Sequence, residues 1–277
     1  MNVAYMASSI EKPSMSGKAL VESLTDLGLS PVFPVKVMTK EVKSRSETSL
    51  HKHYWSQLVF SDRGATQVTT SSMTYWVPPH HAVWIPPDHI HSASLLERAS
   101  LFSVYFLKHN PLFGSFDWHR CQCFEVSCLL GELIKKMSAT NPETMPEEIY
   151  NALCKLIYTE IAQSRPIPIG VPMPKDRRLR HLCQLFLNSP QQYVTLHDLA
   201  AVVGASESTI GRLFRNELNM TFSQWRQQAL LASAITLAAK KMSIGRIALE
   251  LGYSSHSAFT AMVTSIVGKS PKHFLNQ

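Results

Sequence analysis

Leu199-Ala200-Ala201-Val202-Val203-Gly204-Ala205-Ser206 returns 48 residues later as Ile247-Ala248-Leu249-Glu250-Leu251-Gly252-Tyr253-Ser254. Past the glycine the offset becomes 49, pairing Ile210 with Phe259, Phe214 with Val263, Leu218 with Val267 and Trp225 with Phe274. In each copy a short apolar stretch with helical spacing runs into a glycine. A second amphipathic stretch follows. A short helix, a Gly-centred turn and a second helix make the helix-turn-helix plan, and its repetition points to a chain that reads two stretches of DNA.

The charge distribution agrees. Residues 175–277 carry 12 basic and 5 acidic side chains, a balance of +7, whereas residues 1–174 carry 15 of each. The whole surplus therefore lies on the third that holds the repeat, as a phosphate-facing domain requires; a generically basic protein would spread it evenly. A length of 277 residues allows about two domains, each large enough to bury its own core. No stretch is long and apolar enough to span a bilayer, and Met1–Pro13 has no run of signal-peptide type. Five cysteines without a framework spacing fit a reducing compartment. The expectation is a cytoplasmic protein, nucleoid-associated when bound to DNA, with no membrane partner. Cys121-Gln122-Cys123 with Cys128 lacks a second ligand pair, so these read as idle thiols rather than a zinc site.

The C-terminal third divides readily into helices. Asp176 opens one through Leu187 that ends near Pro190. Thr195 is placed to cap the next, with Asp198 in the capping-box position and Leu196, Leu199, Ala200 and Val203 facing inward. Ser206 caps the following helix, whose Ile210, Leu213 and Phe214 point to the core. That leaves Ser206, Glu207, Ser208, Thr209, Arg212, Arg215 and Asn216 as the expected DNA-contacting set of the first unit. Short polar residues at the helix start approach base edges, and arginine takes guanine or phosphate. In the second unit the corresponding set is Ser254, Ser255, His256, Ser257, Thr260 and Thr264. The apolar-periodic segment from Phe222 to Ala239 predicts one rigid helix of about 27 Å, able to hold the two units roughly one DNA turn apart.

At these residues the chain resembles the AraC/XylS family of bacterial transcription regulators. The resemblance covers residues 175–277. It rests on Leu199-Ala200, Gly204, Ser206, Arg212 and Phe214, then on Ile247-Ala248, Leu251-Gly252-Tyr253, Ser255, Ser257 and Phe259, and on Gly268 with Ser270-Pro271. It implies promoter DNA as partner, a homodimer, a small-molecule effector, and RNA polymerase where the regulator activates. One departure matters. The family usually carries an aromatic and then basic residues late in the second recognition helix, where this chain has Val263, Thr264 and Ser265; Arg212 and Arg215 align with Ala261 and Thr264. The first unit is therefore expected to supply most of the specific affinity, and the second to position the domain on the backbone.

The N-terminal part reads differently. Residues 1–34 are polar and Ser-rich, and are expected to be mobile. From Val35 to about Phe106 short strands such as Ser56–Ser61, Ala65–Thr70, Ala82–Ile85 and Leu101–Tyr105 alternate with Gly and Pro punctuation, which implies a small barrel or sandwich. Residues 125–137 and 146–162 read as two helices. Their apolar stripe (Leu129, Leu130, Leu133, Ile134; Ile149, Leu153, Leu156, Ile157) is wide enough to pack on the barrel or on a second subunit. His51-x-His53-x₃-Gln57-x₆-Gly64 and Pro86-Pro87-Asp88-His89-Ile90-His91 resemble the two cupin motifs, with Gln57 where a metal-binding Glu is usual and Asp88 where a Gly is usual. Strand alternation puts His51 and His53 on one face, and a barrel would bring His91 beside them. His51, His53, Gln57 and His91 are thus a candidate set for a divalent transition metal. With Trp84 they form the candidate effector pocket.

Three uses of this domain stay open at this stage: a sensor, a module that only dimerises, and a metal-dependent cupin enzyme fused to a DNA-binding module. Gln57 weighs against the last, so no enzymatic activity is expected. The architecture read from sequence is multidomain α+β. A cupin-like barrel with accessory helices (residues 35–163) is followed by a Pro-rich linker (164–174). An all-α domain (175–277) then carries two helix-turn-helix units joined by a long helix.

Overall fold

A computed structural model describes residues 20–22, 27–42, 46–95, 99–107, 119–191 and 193–275; most of the segment 1–34 expected to be mobile lies outside them. The strands are β1 (Leu20–Glu22), β2 (Val35–Val42), β3 (Ser46–Glu47), β4 (His51–His53), β5 (Ser56–Arg63), β6 (Thr66–Thr70), β7 (Met73–Val77), β8 (His81–Ile85), β9 (His91–Leu95), β10 (Ala99–Phe106), β11 (Gln122–Glu125), β12 (Pro166–Ile167) and β13 (Val171–Pro172). They form two facing sheets. One has the order β1-β4-β9-β6-β7-β13 with β3 on β9, and the other β12-β11-β8-β5-β10-β2.

The second sheet is buried on both faces. Along β8 all five residues are buried, yet they serve two cores: Val83 and Ile85 fill the space between the sheets, while Ala82 and Trp84 pack outward. What covers them there is a helix pair, α1 (Cys128–Ser138) and α2 (Glu147–Gln163). Ser127 caps α1 by accepting from the Leu130 amide, and Leu130, Leu133, Ile134 and Met137 face the sheet. On α2 the buried line is Tyr150, Cys154, Ile157 and Ile161. The Tyr150 hydroxyl donates to the Val35 carbonyl at 2.6 Å and accepts from its amide at 3.1 Å, tying α2 to β2. Of the expected stripe, Leu129, Ile149 and Leu156 are exposed on the single chain and do not pack on the barrel. Two apolar lines run side by side along α2, and the one holding Tyr150 faces the barrel because it alone brings a hydroxyl to the backbone of β2.

The proline-rich segment runs extended, as four prolines demand, but both its halves are strands. β12 pairs with β11 and β13 with β7, each at the edge of its sheet, where a residue without an amide proton is tolerated. Beyond it come α3 (Arg177–Asn188), α4 (Leu196–Val202), α5 (Glu207–Leu218), α6 (Phe222–Ala239), α7 (Ile244–Glu250), α8 (His256–Val267) and α9 (Pro271–Phe274). Their starts follow the capping chemistry. Asp176 accepts from Arg178 and Leu179, Thr195 with Asp198 and Thr221 with Gln224 form capping boxes, and Ser206, Ser255 and Ser270 each cap through the hydroxyl. Trp225 is the hub of the first unit. Fully buried, it meets Phe186 at 5.7 Å and Phe214 at 5.8 Å between ring centroids. Its indole N–H donates to the Pro172 carbonyl of β13 at 2.8 Å, and α6 packs along β7 and β13 through Leu231, Ala232 and Ile235. Lys269 pairs with Glu125, and Phe274 lies edge-on to His81 at 5.2 Å. The barrel and the helical part thus share one continuous apolar core.

Candidate nucleic-acid interface and histidine cluster

α4–α5 and α7–α8 are two helix-turn-helix units hung on α6. The turns are built alike. Gly204 has φ of 65° and Gly252 of 77°, in the left-handed region that favours glycine, and each second helix starts on a serine cap. The one-residue change in repeat offset falls between glycine and cap: one residue separates Gly204 from Ser206, and two separate Gly252 from Ser255.

On α5, Glu207, Ser208, Arg212, Arg215 and Asn216 are exposed and Thr209 is half-buried. The local acids are turned elsewhere. Glu217 accepts from the backbone amides of Lys175 and Asp176 at 2.7–3.1 Å, and Glu207 takes the His197 ring at 2.8 Å. Arg212 and Arg215 stand without an ion pair among the described residues. On α8, Ser254, His256, Ser257 and Thr264 are exposed, and His256 is the helix's one titratable side chain. Three expected contacts are qualified by geometry. The hydroxyls of Ser206 and Ser255 are engaged in capping Thr209 and Ala258, and the Thr260 hydroxyl is buried with no partner among the described residues, so it does not face outward to a ligand.

In the barrel, β4 and β9 place His51 directly opposite His91, with ring centroids 4.4 Å apart; His53, two residues on, lies 4.9 Å from His91. Ligand-capable atoms of the three rings lie within 4.8 Å of one another. His53 and His91 are buried and His51 is half-buried. Gln57 reaches in from the facing sheet on β5. Its Oε1 sits 3.1 Å from His53 Nε2 and 3.0 Å from His91 Nε2, while its Nε2 faces Ser103 Oγ at 3.1 Å and Tyr105 Oη at 3.5 Å.

The tautomers follow from the backbone. Nδ1 of His51, His53 and His91 each points at a carbonyl, of Ser49, Trp55 and His89, at 2.8–2.9 Å. A carbonyl only accepts, so each Nδ1 carries the proton and each Nε2 of a neutral ring presents a lone pair. Burial, then the neighbouring His51 and His53, hold His91 neutral by pushing its pKa down to about 3. Two nitrogen lone pairs therefore confront the lone pairs of the Gln57 oxygen. That arrangement is stable around a cation. Without one, turning the amide end for end satisfies every group, its NH₂ donating to both rings and its oxygen accepting from Ser103 and Tyr105. Three imidazoles and an amide oxygen suit a divalent transition ion. Two ligands at about 2.1 Å from one ion lie at most about 4.2 Å apart, so the cluster fits after a small inward closure.

Trp84 is corrected. It packs on Phe106 at 5.2 Å in the core beneath α1 and α2, on the far side of the sheet from the histidines. The aromatics at the cluster are Trp55, stacked on His53 at 4.9 Å and 9°, and Tyr105, edge-on at 6.0 Å. Tyr105 was findable from alternation along β10, which puts it on the same face as Leu101 and Ser103.

A helix-turn-helix domain family matches residues 199–277. The chain is similar to the HTH-type transcriptional regulator NimR of Escherichia coli K12, 27% identical over 226 residues, covering 82% of this chain and 81% of that protein. The arabinose operon regulatory protein of the same organism is 27% identical over 111 residues, 36% of this chain and 35% of the relative. Among solved structures, fatty-acid-bound ToxT of Vibrio cholerae covers 87% of this chain and 95% of its own at 12% identity, with a TM-score of 0.36, too low to bear on the fold. The relatives are named as transcriptional regulators, which sets the enzyme reading of the barrel aside. No described helix is long and apolar enough to cross a membrane. Its paired helix-turn-helix units on one connecting helix make the chain similar to the AraC/XylS family, and the chain is a DNA-binding transcriptional regulator.

Proposed function

We propose that this chain binds promoter DNA at specific sites and adjusts transcription there in response to a small effector held in the barrel. It does so as a cytoplasmic homodimer, engaging RNA polymerase where it activates. The observation that carries the DNA reading is the exposed, acid-free pair Arg212 and Arg215 on α5, beside the small polar start of that helix. The first unit supplies most of the specific affinity, through Glu207, Ser208, Thr209, Arg212, Arg215 and Asn216. The second positions the domain through Ser254, His256, Ser257 and Thr264. The barrel senses through His51, His53, Gln57 and His91. The domains run over residues 35–163 and 175–277, with 164–174 between them.

The experiment is a genome-wide binding map with purified full-length protein and fragmented DNA. A few strong peaks sharing a motif over about two helical turns support the reading, and the genes beside them nominate the effector. Weak, sequence-indifferent binding at every salt concentration and with every cellular extract added refutes it.

A further inference from the structure

We infer that the loop between α3 and α4 is a strut holding the second helix-turn-helix unit at a fixed angle to the first, and that Gln191 and Tyr193 in it set which spacing of DNA half-sites the chain accepts. The inference rests on both units engaging DNA, as proposed above. The units share α6, and the second buries Ile247, Phe259 and Val263 in the common core. Apolar burial is non-directional, so that packing alone leaves the unit free to rock on α6 through small angles. An angle is fixed by directional contacts that cross from one unit to the other. Gln191, Tyr193 and Val194 supply them.

The loop is tied first to α6. The Arg226 guanidinium lies over the Phe222 ring at 5.5 Å and donates to the Val194 carbonyl at 2.9 Å. The Val194 amide donates in turn to the Gln191 carbonyl at 3.3 Å, and Pro190 restricts the backbone just before it. Two side chains then reach the second unit. Gln191 Nε2 donates to the Glu250 carbonyl at 2.9 Å, at the end of α7, where helix carbonyls lack an intrahelical partner. The Tyr193 ring lies against Gly252 so closely that a Cβ there would stand 2.9 Å from it. Tyr193 is 70% exposed and outside the core, so it acts as a wedge against the turn rather than as core packing. The first unit has no counterpart: a Cβ at Gly204 meets nothing within 4 Å among the described residues. Gly252 lies in the turn that leads into α8, so a wedge there fixes the direction in which α8 leaves α7. Neither Gln191 nor Tyr193 belongs to the set expected to touch DNA; both are positioning residues.

Full-length protein is measured by fluorescence anisotropy on the operator recovered by the binding map, with natural spacing and with one base pair inserted between the half-sites. One base pair turns the second half-site by about 34° and moves it by about 3.4 Å. A fixed unit does not follow, so the wild type is expected to lose at least about tenfold in affinity, the worth of about one mismatched base pair. Gln191→Ala/Tyr193→Ala frees the unit, and its loss on insertion is expected to stay below about threefold. Its affinity at natural spacing falls about threefold, because the angle must then be fixed on binding. Tyr193→Phe keeps the ring and should keep the wild-type ratio between the two duplexes. A general loss of stability would not give this pattern. A double variant that pays the wild-type penalty overturns the inference, as does a Tyr193→Phe protein that tolerates the insertion. If circular dichroism shows the double variant unfolded, Gln191→Glu, which removes the donor at similar length, decides by the same ratio. Equal penalties with tight binding leave the two-unit regulator standing. A wild type indifferent to the insertion overturns the two-unit reading as well, because the second unit is then not engaged.

Discussion

Replacing Arg212 and Arg215 together by alanine separates the two helix-turn-helix units. Both side chains are exposed on α5 and have no carboxylate partner among the described residues, while Glu217 is held by the backbone at the start of α3. Each phosphate contact contributes about 0.9 to the slope of log affinity against log salt, so losing two lowers the slope by about 1.8. Raising salt fourfold, from about 50 to 200 mM, then costs the double variant about 12-fold less affinity than it costs the wild type. If one arginine instead grips a guanine edge, its loss costs about 1–3 kcal/mol and relaxes the preference at one base pair. On α8 the comparable change is His256→Ala, which removes no arginine or lysine and should leave the slope nearly intact. The assay is fluorescence anisotropy on one operator from the binding map, at four salt concentrations, with single-base variants of each half. A larger loss from His256→Ala than from Arg212→Ala, or an unchanged slope in the double variant, refutes the reasoning.

The turn glycines give a paired stability prediction. Gly204→Ala meets nothing within 4 Å, so its cost is the left-handed backbone alone, about 1–2 kcal/mol. Gly252→Ala adds a Cβ 2.9 Å from the Tyr193 ring and 3.0 Å from Gln191 Oε1, whose amide is held by the Glu250 carbonyl; about 1 kcal/mol more is expected, and urea unfolding that ranks the two the other way rejects the packing account. Trp225→Phe keeps the aromatic contacts but leaves the Pro172 carbonyl without its donor. A loss of about 1–3 kcal/mol in urea unfolding, with faster proteolysis near β13, is the expected outcome, and unchanged values for both would show that the strand is not held by this bond. His81 is buried against Phe274, its Nε2 without a partner among the described residues, and burial holds its pKa below the usual value. The unfolded chain takes up a proton there below about pH 6.5 that the folded chain refuses, so this contribution to stability is full above that pH and falls as the solution is acidified. Thermal melts of His81→Gln should decline less between pH 7.5 and 5.5 than those of the wild type; parallel declines count against it.

The helical third was readable because its signals are local. Hydroxyl and carboxylate caps, a glycine at each turn and the spacing of Ile210, Phe214, Phe259 and Val263 act within a few residues, and each recurs in the structure. What failed there failed at one turn of helix. Thr260 lies next to Phe259 and one turn before Val263, close enough to the apolar face for its hydroxyl to be drawn under.

The barrel was less readable because one of its sheets has no wet face. Where a strand alternates between core and water, polarity tells which side chains point inward; His51 and His53 share a face by that alternation, and the likeness to the two cupin motifs sets His91 beside them. On β8 both faces are apolar, since α1 and α2 cover the outer one, so no polarity contrast distinguishes Trp84 from Val83. Only the parity shared with β5 and β10 resolves it. Gln57, Ser103 and Tyr105 fall on the inner face with Val59, Leu101 and Ile85, and Trp84 falls with Leu58, Phe60 and Phe106 on the other. The same parity gives Gln57 its importance. A polar side chain on a closed inner face must find partners, and Gln57 has them on both sides: two hydroxyls that accept or donate, and two imidazoles fixed by their backbone carbonyls as acceptors. With the hydroxyls adaptable and the imidazoles fixed, the amide has one orientation for an empty cage and another for an occupied one. A single glutamine in place of a carboxylate thus turns a permanent metal ligand into a group whose preferred orientation depends on what the barrel holds.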